Sequence, residues 1–355
     1  MTQTTATVAA PVTEQARLGL RTRALVQRVA GILILAGTAI WLITALISDP
    51  VRFFNSAIAG LQNGTLYALI ALGYTLVYGI IELINFAHGD LFMLGTLTAG
   101  VMIATVFGHT VSGASLAGWL AFFVALVVCM AFCASINVSI EFLAYRRLRR
   151  APRLAPLITA VGMSFVLQFV GLRWNGSQPR SNWASVLPKG VIDIGGVLIE
   201  YKLVVIIAVT APLLLLMSWI VTKTKAGKAM RATAQDQDAA RLMGINVNRT
   251  ISFTFAMGGA LAGAAGLMYQ QTIGTTRYDL GFQLGLIAFT AAVLGGIGNL
   301  TGAVLGGVLI GLIQGLNDGV GIGIQWSQTV VFSILILLMV FRPTGLLGQS
   351  SGEKV

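Results

Sequence analysis

Long stretches without Asp, Glu, Lys or Arg recur along the whole chain of 355 residues. They cover residues 29–48, 53–81, 91–140, 154–172, 203–222, 250–276, 280–317 and 319–341. Hydrocarbon cannot hydrogen-bond to a bare backbone, so a stretch of about 20 such residues crosses a bilayer as a helix. We expect 91–140 to cross twice, turning near Gly108 to Gly113, and 280–317 to form two short crossings that turn near Gly295 to Gly302. The pattern predicts an all-α polytopic membrane protein with about ten transmembrane helices.

The composition agrees with this pattern and makes an enzyme the less favoured class. The chain is 56% hydrophobic and 10% charged, whereas a soluble domain is roughly a quarter charged. Twelve acids, two histidines and two cysteines leave little material for acid-base chemistry or a metal site. His88 has no second ligand at helical spacing, and the chain has no phosphate-binding loop sequence. We therefore predict no catalytic residue, no metal and no cofactor in this chain.

The basic residues indicate the orientation of the chain. Most of the 23 Lys and Arg residues fall in the N-terminal segment, the 146–153 loop and the 223–249 loop, all on one side of the predicted membrane. Short loops rich in Lys and Arg face the cytoplasm, so both termini are predicted to be cytoplasmic. The net charge of +11 is spread over these loops rather than over one folded face, which argues against nucleic acid as a partner.

Four segments outside the apolar core carry separate predictions. Residues 1–28 form a cytoplasmic basic tail, and 29–48 form an extra N-terminal transmembrane helix that acts as an uncleaved anchor. The outer loop 174–202 contains turn-forming pairs and is predicted to be a cap with a short hairpin, a plain connector being the alternative. The cytoplasmic loop 223–250 has helix-forming composition up to Leu242 and a stop at Gly244, which predicts one short helix.

Glycines recur at spacing four inside the apolar stretches, for example at Gly60 and Gly64 and at Gly307, Gly311 and Gly315. Small residues at this spacing let helix backbones approach closely. The pattern predicts a tightly packed bundle.

Neutral amides are the main polar groups within the crossings: Gln62, Asn63, Asn137, Gln168, Gln314 and Asn317. Polar side chains at bilayer depth are costly unless they pair or line a pathway. Amides can bind an ammonium or a carboxylate without placing a charge in the membrane, which suits a zwitterionic solute. The alternative is that they hydrogen-bond neighbouring helices together.

The densest polar cluster, Glu82 to Asp90, lies between two apolar stretches. One interpretation is a tight cytoplasmic turn, in which Gly89 supplies the bend and the acids lie in water. The other is a broken helix that lines the pathway, as in transporter binding sites. We predict a translocation path lined by Gln62, Asn63, Asn85, His88, Asp90 and Gln168. With Glu82, Asp90 and Glu141 placed at inner helix ends, no acid lies near the middle of a crossing, which argues against a proton-driven carrier.

Eight ordered blocks resemble one known family. They are 63–69 (NGTLYAL), 73–80 (GYTLVYGI), 84–90 (INFAHGD), 140–146 (IEFLAYR), 158–164 (ITAVGMS), 231–236 (RATAQD), 292–298 (AVLGGIG) and 342–348 (RPTGLLG). Together they resemble the LivH-like permease subunits of branched-chain amino-acid ABC importers. The resemblance covers about residues 53–348, which would be the permease core. At Thr301 the family usually has a proline, so this turn is expected to be less rigid.

The resemblance implies a set of partners and a coupling segment. The partners would be a homologous second permease (LivM-like), two cytoplasmic ATPases (LivG-like and LivF-like) that bind ATP and Mg, and an extracytoplasmic solute-binding protein. The implied location is the bacterial cytoplasmic (inner) membrane, with lipid around the bundle. A cytoplasmic permease helix sits in a groove of the ATPase in such importers, which assigns ATPase coupling to Gly227, Arg231, Ala234, Gln235, Asp236, Arg241 and Gly244.

Two other classes of function remain as alternatives. One is an ATP-independent secondary carrier or channel for amino acids, urea or amides. The other is an intramembrane protease, although the chain offers only His88 and His109 as histidines. Copurification of ATPase subunits would separate the importer from both.

Overall fold

A computed structural model describes residues 29, 31, 36–82, 85–107, 115–149, 151–152, 154–180, 185–342 and 344–348. The predicted tail 1–28, the turn at Gly108 to Gly113 and the C-terminal residues 349–355 lie outside this set. The chain divides into two compact units, Met1–Pro50 and Val51–Val355. The described part of the first unit is mainly one apolar helix, Ala36–Ser48 (α1), within the predicted anchor 29–48.

The second unit is a helical bundle. Its elements are α2 Pro50–Ile81, α3 Ala87–Met102 with a π-helical end Ile103–Phe107, α4 Leu116–Ile140 continued by a π-helical turn Glu141–Tyr145 and by Arg146–Leu148, α5 Leu154–Asn175, β1 Val191–Ile194, β2 Val197–Glu200, α6 Tyr201–Lys223, α7 Lys225–Gln235, α8 Gln237–Leu242, α9 Val247–Ile273, α10 Leu280–Gly295, α11 Leu300–Val320, and α12 Ser327–Phe341 preceded by a 3-10 turn Ile324–Trp326. Eight helices in the described part of the chain are long and apolar enough to span a membrane, and α1 and α10 are shorter. The predicted fold class is confirmed. The side on which the termini lie stays a prediction.

The two ends of the bundle differ in chemistry. We call the end that carries Arg146, Arg149 and the α7–α8 loop the basic end, and the end that carries the β1–β2 strands the hairpin end. The sequence predicts that the basic end is cytoplasmic. Large apolar side chains of the outer helices, such as Phe165, Leu215 and Ile336, are exposed on the sides of the bundle. Such a surface suits lipid or another membrane subunit.

Glycines bring the central helices together, as predicted. A Cβ on Gly311 of α11 would lie 2.2 Å from the Cα of Gly64 on α2. One turn along, a Cβ on Gly315 would lie 2.4 Å from the Cα of Gly60. Only glycine allows the two backbones to approach this closely. The α2–α11 contact is therefore a seam of small residues that fixes the relative position of the two helices.

The outer loop contains the predicted short hairpin. Strands β1 and β2 pair in antiparallel fashion from Val191 opposite Glu200 to Ile194 opposite Val197. Gly195 and Gly196 form the two-residue turn, both with positive φ, as a tight hairpin turn favours. Asn55 of α2 anchors the hairpin, because its Oδ1 accepts the Leu198 N–H at 2.8 Å.

The predicted single helix of the 223–250 loop is wrong in one respect: the segment forms two helices, α7 and α8. Asp236 stands between them with extended backbone, and its carboxylate accepts the N–H groups of Asp238 and Ala239 at 2.8 and 3.0 Å. An aspartate in this position caps a new helix and so interrupts the old one. The predicted stop at Gly244 is confirmed, since its φ of +81° ends α8.

The turn between α10 and α11 falls in the predicted Gly295 to Gly302 interval. Helix α10 does not cross the whole bundle, however. A Cβ on Gly281, in its first turn, would lie 2.6 Å from the carbonyl oxygen of Gly89, in the interior of the bundle. Residues 274–279 lead from the end of α9 at the hairpin end to this interior start.

Candidate translocation site

The chain between α2 and α3 makes a sharp return into the bundle. Among the described residues Glu82 is the only non-glycine with positive φ, at +53°. The hydroxyl of Tyr145, from the π-helical turn of α4, donates to Asn85 Oδ1 at 2.9 Å. Asn85 is almost fully buried, and α3 begins two residues later at Ala87. The bend therefore depends on Glu82 and the Asn85 contact, and the interpretation that Gly89 supplies it is wrong.

Asp90 is fully buried in the first turn of α3. The Ser164 hydroxyl donates to Asp90 Oδ2 at 2.5 Å, and Gln168 Nε2 donates to Ser164 Oγ at 3.1 Å. Ser164 lies halfway along α5. The prediction from the sequence that Asp90 lies at an inner helix end, in water, is wrong. The physical reason is that the return of the chain starts α3 deep in the bundle.

Two helix N-termini meet beside Asp90, those of α3 and α10. Their contact is made by glycine: a Cβ on Gly89 would lie 2.3 Å from the carbonyl oxygen of Gly281 and 2.8 Å from the Cα of Gly285. The N-terminal end of a helix carries partial positive charge and exposed N–H groups. These helix ends and Ser164 offset part of the cost of burying a carboxylate at this depth, while Asp90 Oδ1 has no hydrogen-bond partner among the described residues. A broken segment inside the bundle agrees with the second interpretation of the Glu82 to Asp90 cluster.

An aromatic group lies next to this point. The ring of His88 is 4.7 Å from the ring of Tyr74, which is 6.1 Å from Phe289, and Phe289 is 6.3 Å from Phe86 (centroid distances). His88 is fully buried against Gly73, where a Cβ would meet its Nε2 at 2.4 Å. We call Tyr74, Phe86, His88 and Phe289 the aromatic constriction.

Two cavities lie at different depths along α2. The hairpin-end cavity has a volume of about 370 Å³ and is lined by residues that include Asn63, Tyr67, Gln314 and Asp318. The basic-end cavity has a volume of about 610 Å³ and is lined by residues that include Thr75 of α2 and the turn at 297–301. The structure thus has room at both ends of the bundle and packed side chains between them.

The predicted path residues fall into two groups. Asp90 and Gln168 come together around Ser164, whereas the neighbouring His88 packs on Tyr74 and Gly73 of α2, and Asn85 precedes both on the basic-end side. Asn63 lies apart from them on the hairpin-end cavity, and its neighbour Gln62 is half-buried on α2. Whether solute passes these side chains stays a prediction.

The remaining amides hold the bundle together. Asn137 Nδ2 donates to the Phe255 carbonyl oxygen at 2.6 Å, which joins α4 to α9. Asn317 Nδ2 donates to the Gly323 carbonyl oxygen at 3.0 Å, and Gln314 Oε1 accepts the Tyr67 hydroxyl at 2.7 Å. Asn137 therefore satisfies the helix-contact interpretation, Asn317 closes the turn that follows α11, and Gln314 both pairs and lines a cavity.

The predicted coupling residues lie on the basic end, close to the end of α6. Gly227 packs directly on it, since a Cβ there would lie 2.1 Å from the Val221 carbonyl oxygen. The Arg231 guanidinium donates to the same carbonyl oxygen. Thr224 Oγ1 accepts the Gly227 N–H at 3.1 Å and caps α7. These contacts hold the start of α7 against the end of α6.

Four of the other coupling residues are exposed, and Ala234 is half-buried. Gln235 and Asp236 are exposed at the α7–α8 junction, and Arg241 forms an exposed ion pair with Asp238 at 2.6 Å. Ala234 and Arg231 also line the basic-end cavity. Gly244 follows the tip of α8.

Sequence reasoning missed two features of this end. Leu242 and Met243, at the tip of α8, are 89% and 82% exposed; the signal was an apolar pair at the end of an otherwise polar helix. Glu141 is fully buried, and both Arg146 (3.0 Å) and Arg149 pair with it. A π-helical turn, Glu141–Tyr145, lies between Glu141 and the two arginines, and no local pattern in the sequence predicts that turn.

The apolar helices, the interrupted segments in the interior and the cavities at both ends define a multi-pass membrane protein of the transporter class. The sequence model of a protein family described as "Branched-chain amino acid transport system / permease component" matches residues 56–340. This chain belongs to that family.

Similar proteins cover most of the chain. The high-affinity branched-chain amino acid transport system permease protein BraD of Pseudomonas aeruginosa is 39% identical over 308 residues, which are 86% of this chain and 98% of BraD. The corresponding protein LivH of Escherichia coli (strain K12) is 37% identical over 308 residues, 85% of this chain and 98% of LivH. The solved structure of PsaBC from Streptococcus pneumoniae in complex with Fab aligns with a TM-score of 0.37 and 14% identity, over 84% of this chain and 94% of that chain.

Proposed function

We propose that this chain is a permease subunit of an ATP-driven importer of branched-chain or related hydrophobic amino acids. The observation that carries the proposal is the family match over residues 56–340, together with 37–39% identity to named permeases over nearly their whole length. The chain itself forms no covalent bond with the solute. It provides a pathway and a surface on which a motor acts.

A permease component of an ABC importer works with a second permease, ATPases and a solute-binding protein. For this chain we assign a LivM-like permease as the path-sharing partner, and LivG-like and LivF-like ATPases at the basic end, where they bind ATP and Mg. The binding protein delivers solute at the hairpin end. Because the basic end carries the Lys- and Arg-rich loops, the assembly sits in the bacterial cytoplasmic (inner) membrane with that end inside.

The aromatic constriction is the barrier between the two cavities in this mechanism. Solute enters at the hairpin end past Gln62 and Asn63, and leaves toward the basic end past Asn85. His88, Asp90 and Gln168 lie at the depth where the barrier opens and closes. The support for this step is that α2 lines one cavity at Asn63 and the other at Thr75, with the buried ring of Tyr74 between these positions; an alternating-access path needs one closed barrier at a time.

Coupling depends on the α6–α7 corner. Closure of the ATPases pushes on α7 and α8, and the Gly227 and Arg231 contacts with Val221 pass the movement to α6. We assign ATPase docking to the exposed pair Leu242 and Met243. Two large apolar side chains at the tip of a polar loop would be costly in water, and burying them in a groove removes that cost.

The test is copurification of the ATPases with a double variant, Leu242→Asp with Met243→Asp. The matched control is Leu198→Asp on the hairpin, another exposed apolar residue (51%) at the opposite end. We expect the double variant to reach the membrane and lose the ATPases, while the control retains them. Retention of the ATPases by the double variant would refute the docking assignment. Absence of ATPases from the wild-type preparation would favour an ATP-independent carrier instead.

A further inference from the structure

We propose that the hairpin-end cavity is a binding site for the ammonium group of an amino acid with an apolar side chain, and that Asp318 is its charged partner. This inference rests on the proposed import of amino acids and adds the residue that recognises the solute before the aromatic constriction opens. The volume of the hairpin-end cavity, about 370 Å³, lies in the range of small-molecule sites, which is roughly 300–1,000 Å³.

The cavity is polar at its rim and apolar at its floor. Gly315 faces Gly60 and Gly311 faces Gly64, so α2 and α11 run antiparallel and the later part of α11 lies nearest the hairpin end. Asp318 is therefore closer to the rim than Gln314. On α2, Leu66 lies about one turn deeper than Asn63. Leu66, Leu284 and Ile287 give the floor its apolar character.

The charge of the cavity favours a cation or a zwitterion. Among its described lining residues Asp318 is the only one that is charged at neutral pH; the amides are Asn63, Gln283, Gln314, Gln325 and Gln328. A simple anion would meet the carboxylate with no cation to offset it. A zwitterion can place its ammonium on Asp318 and its carboxylate on amide NH2 groups. Its apolar side chain then reaches the floor.

The carboxylate of Asp318 is held in place before any solute binds. Its Oδ1 accepts from the Ser327 hydroxyl and from Asn317 Nδ2, the latter at 3.3 Å. Asn317 is fixed in turn by its bond to the Gly323 carbonyl oxygen at 3.0 Å. A charged group held in this way loses little freedom when it binds a ligand, which is the condition for tight recognition.

Gln314 adds a second oriented group on the same helix as Asp318. Its Oε1 accepts the Tyr67 hydroxyl at 2.7 Å. The NH2 group is the donor that this pair leaves for a ligand carboxylate. Asp318 and Gln314 lie one helical turn apart on α11, so an ammonium and a carboxylate joined through one carbon can reach both.

The test is protection of a cysteine at the rim, introduced as Gln328→Cys in the complete importer in lipid nanodiscs. The native Cys129 and Cys133 are buried, so maleimide labelling of this chain reports on position 328. Three probes are compared: L-leucine, 3-methylbutylamine, which lacks the carboxylate, and 4-methylpentanoate, which lacks the ammonium. We expect the first two to slow labelling several-fold and the third to have no effect. Equal protection by 4-methylpentanoate would overturn the proposal.

A second variant tests the named partner. Asp318→Asn keeps an oxygen for Ser327 and removes the charge. Loss of a charge-assisted bond should raise the leucine concentration for half-protection by about tenfold or more. Asp193→Asn, an exposed acid on the hairpin outside the cavity, is the matched control and should change nothing. Unchanged protection in Asp318→Asn would refute the role of Asp318.

Uptake measured in parallel separates this inference from the proposed function. If the wild type takes up leucine in an ATP-dependent way but leucine does not protect the cysteine of the Gln328→Cys variant, the proposed cavity site is refuted and the importer function is still supported. Protection by 3-methylbutylamine in a complete complex that takes up no leucine would support the ammonium site and contradict the proposed function.

Discussion

Replacing Glu141 by glutamine removes the negative charge that two arginines share at the basic end. Glu141 is fully buried, while Arg146 and Arg149 are 31% and 13% exposed. Ser252 on α9 also donates to Glu141 Oε2, at 2.6 Å. The cluster therefore ties the end of α4 to the start of α9. Burial lowers the pKa of the Arg149 guanidinium, whereas Glu141 raises it, so the carboxylate favours the charged arginine.

The expected cost can be estimated from burial. Removing one partner of a fully buried ion pair costs about 3–5 kcal/mol, because the other charge stays buried and unpaired. Both arginines here can regain some water, so we expect about 2–4 kcal/mol for Glu141→Gln. An unfolding entropy of about 2.1 cal/mol/K per residue then converts this cost into a fall in apparent melting temperature of roughly 3–5 °C for a chain of this size.

The native cysteines provide the assay. Cys129 and Cys133 are fully buried in α4 and react with a thiol-specific fluorescent dye only when the bundle opens. The control is Asp238→Asn, which breaks the exposed Asp238–Arg241 pair on the same end. Exposed pairs contribute little to stability, so this variant should melt like the wild type. Equal melting of the two variants would refute the structural role of Glu141.

Three further predictions concern other parts of the bundle. Gly311→Leu should greatly reduce the yield of monodisperse protein, because its side chain would clash with Gly64, while Gly162→Leu, with open space around it, should not. Asp236→Ala should speed amide exchange at the start of α8 by removing its cap, a loss of about 1 kcal/mol, and Asp236→Asn should not. The hydrogen bond from Arg277 lowers the pKa of Asp279, so this pair stabilises the fold at neutral pH, and the stabilisation is lost as the pH falls through that lowered pKa. The check is to measure stability against pH in the wild type and in Asp279→Asn, which should lack this acid-dependent loss.

Much of the fold follows from patterns that act locally along the sequence. Apolar stretches of sufficient length form helices, because a backbone in the bilayer core must make its hydrogen bonds within the segment. The hairpin follows from Gly195 and Gly196, and the end of α8 follows from Gly244, because each needs positive φ. Glycine spacing likewise indicated the close contact of α2 and α11.

The interior start of α3 could not be predicted in the same way. The residues that define it, Asp90 and Ser164, are 74 positions apart. Their contact depends on how α3 packs on α5, and a hydropathy pattern has no information on that packing. The same holds for Glu141, which a π-helical turn connects to Arg146 and Arg149, since no local pattern predicts that turn. The break at Asp236 was readable in principle, since an aspartate before a polar helical run is an N-cap signal.

Solute uptake by reconstituted liposomes tests the central claim most directly, namely that this chain is a pathway driven by separate ATPases. The chain is incorporated alone or together with its partner permease, both ATPases and the binding protein, and labelled L-leucine is measured with ATP on the ATPase side. We predict accumulation against a gradient only with the complete set and ATP. Accumulation by the chain alone would contradict the account.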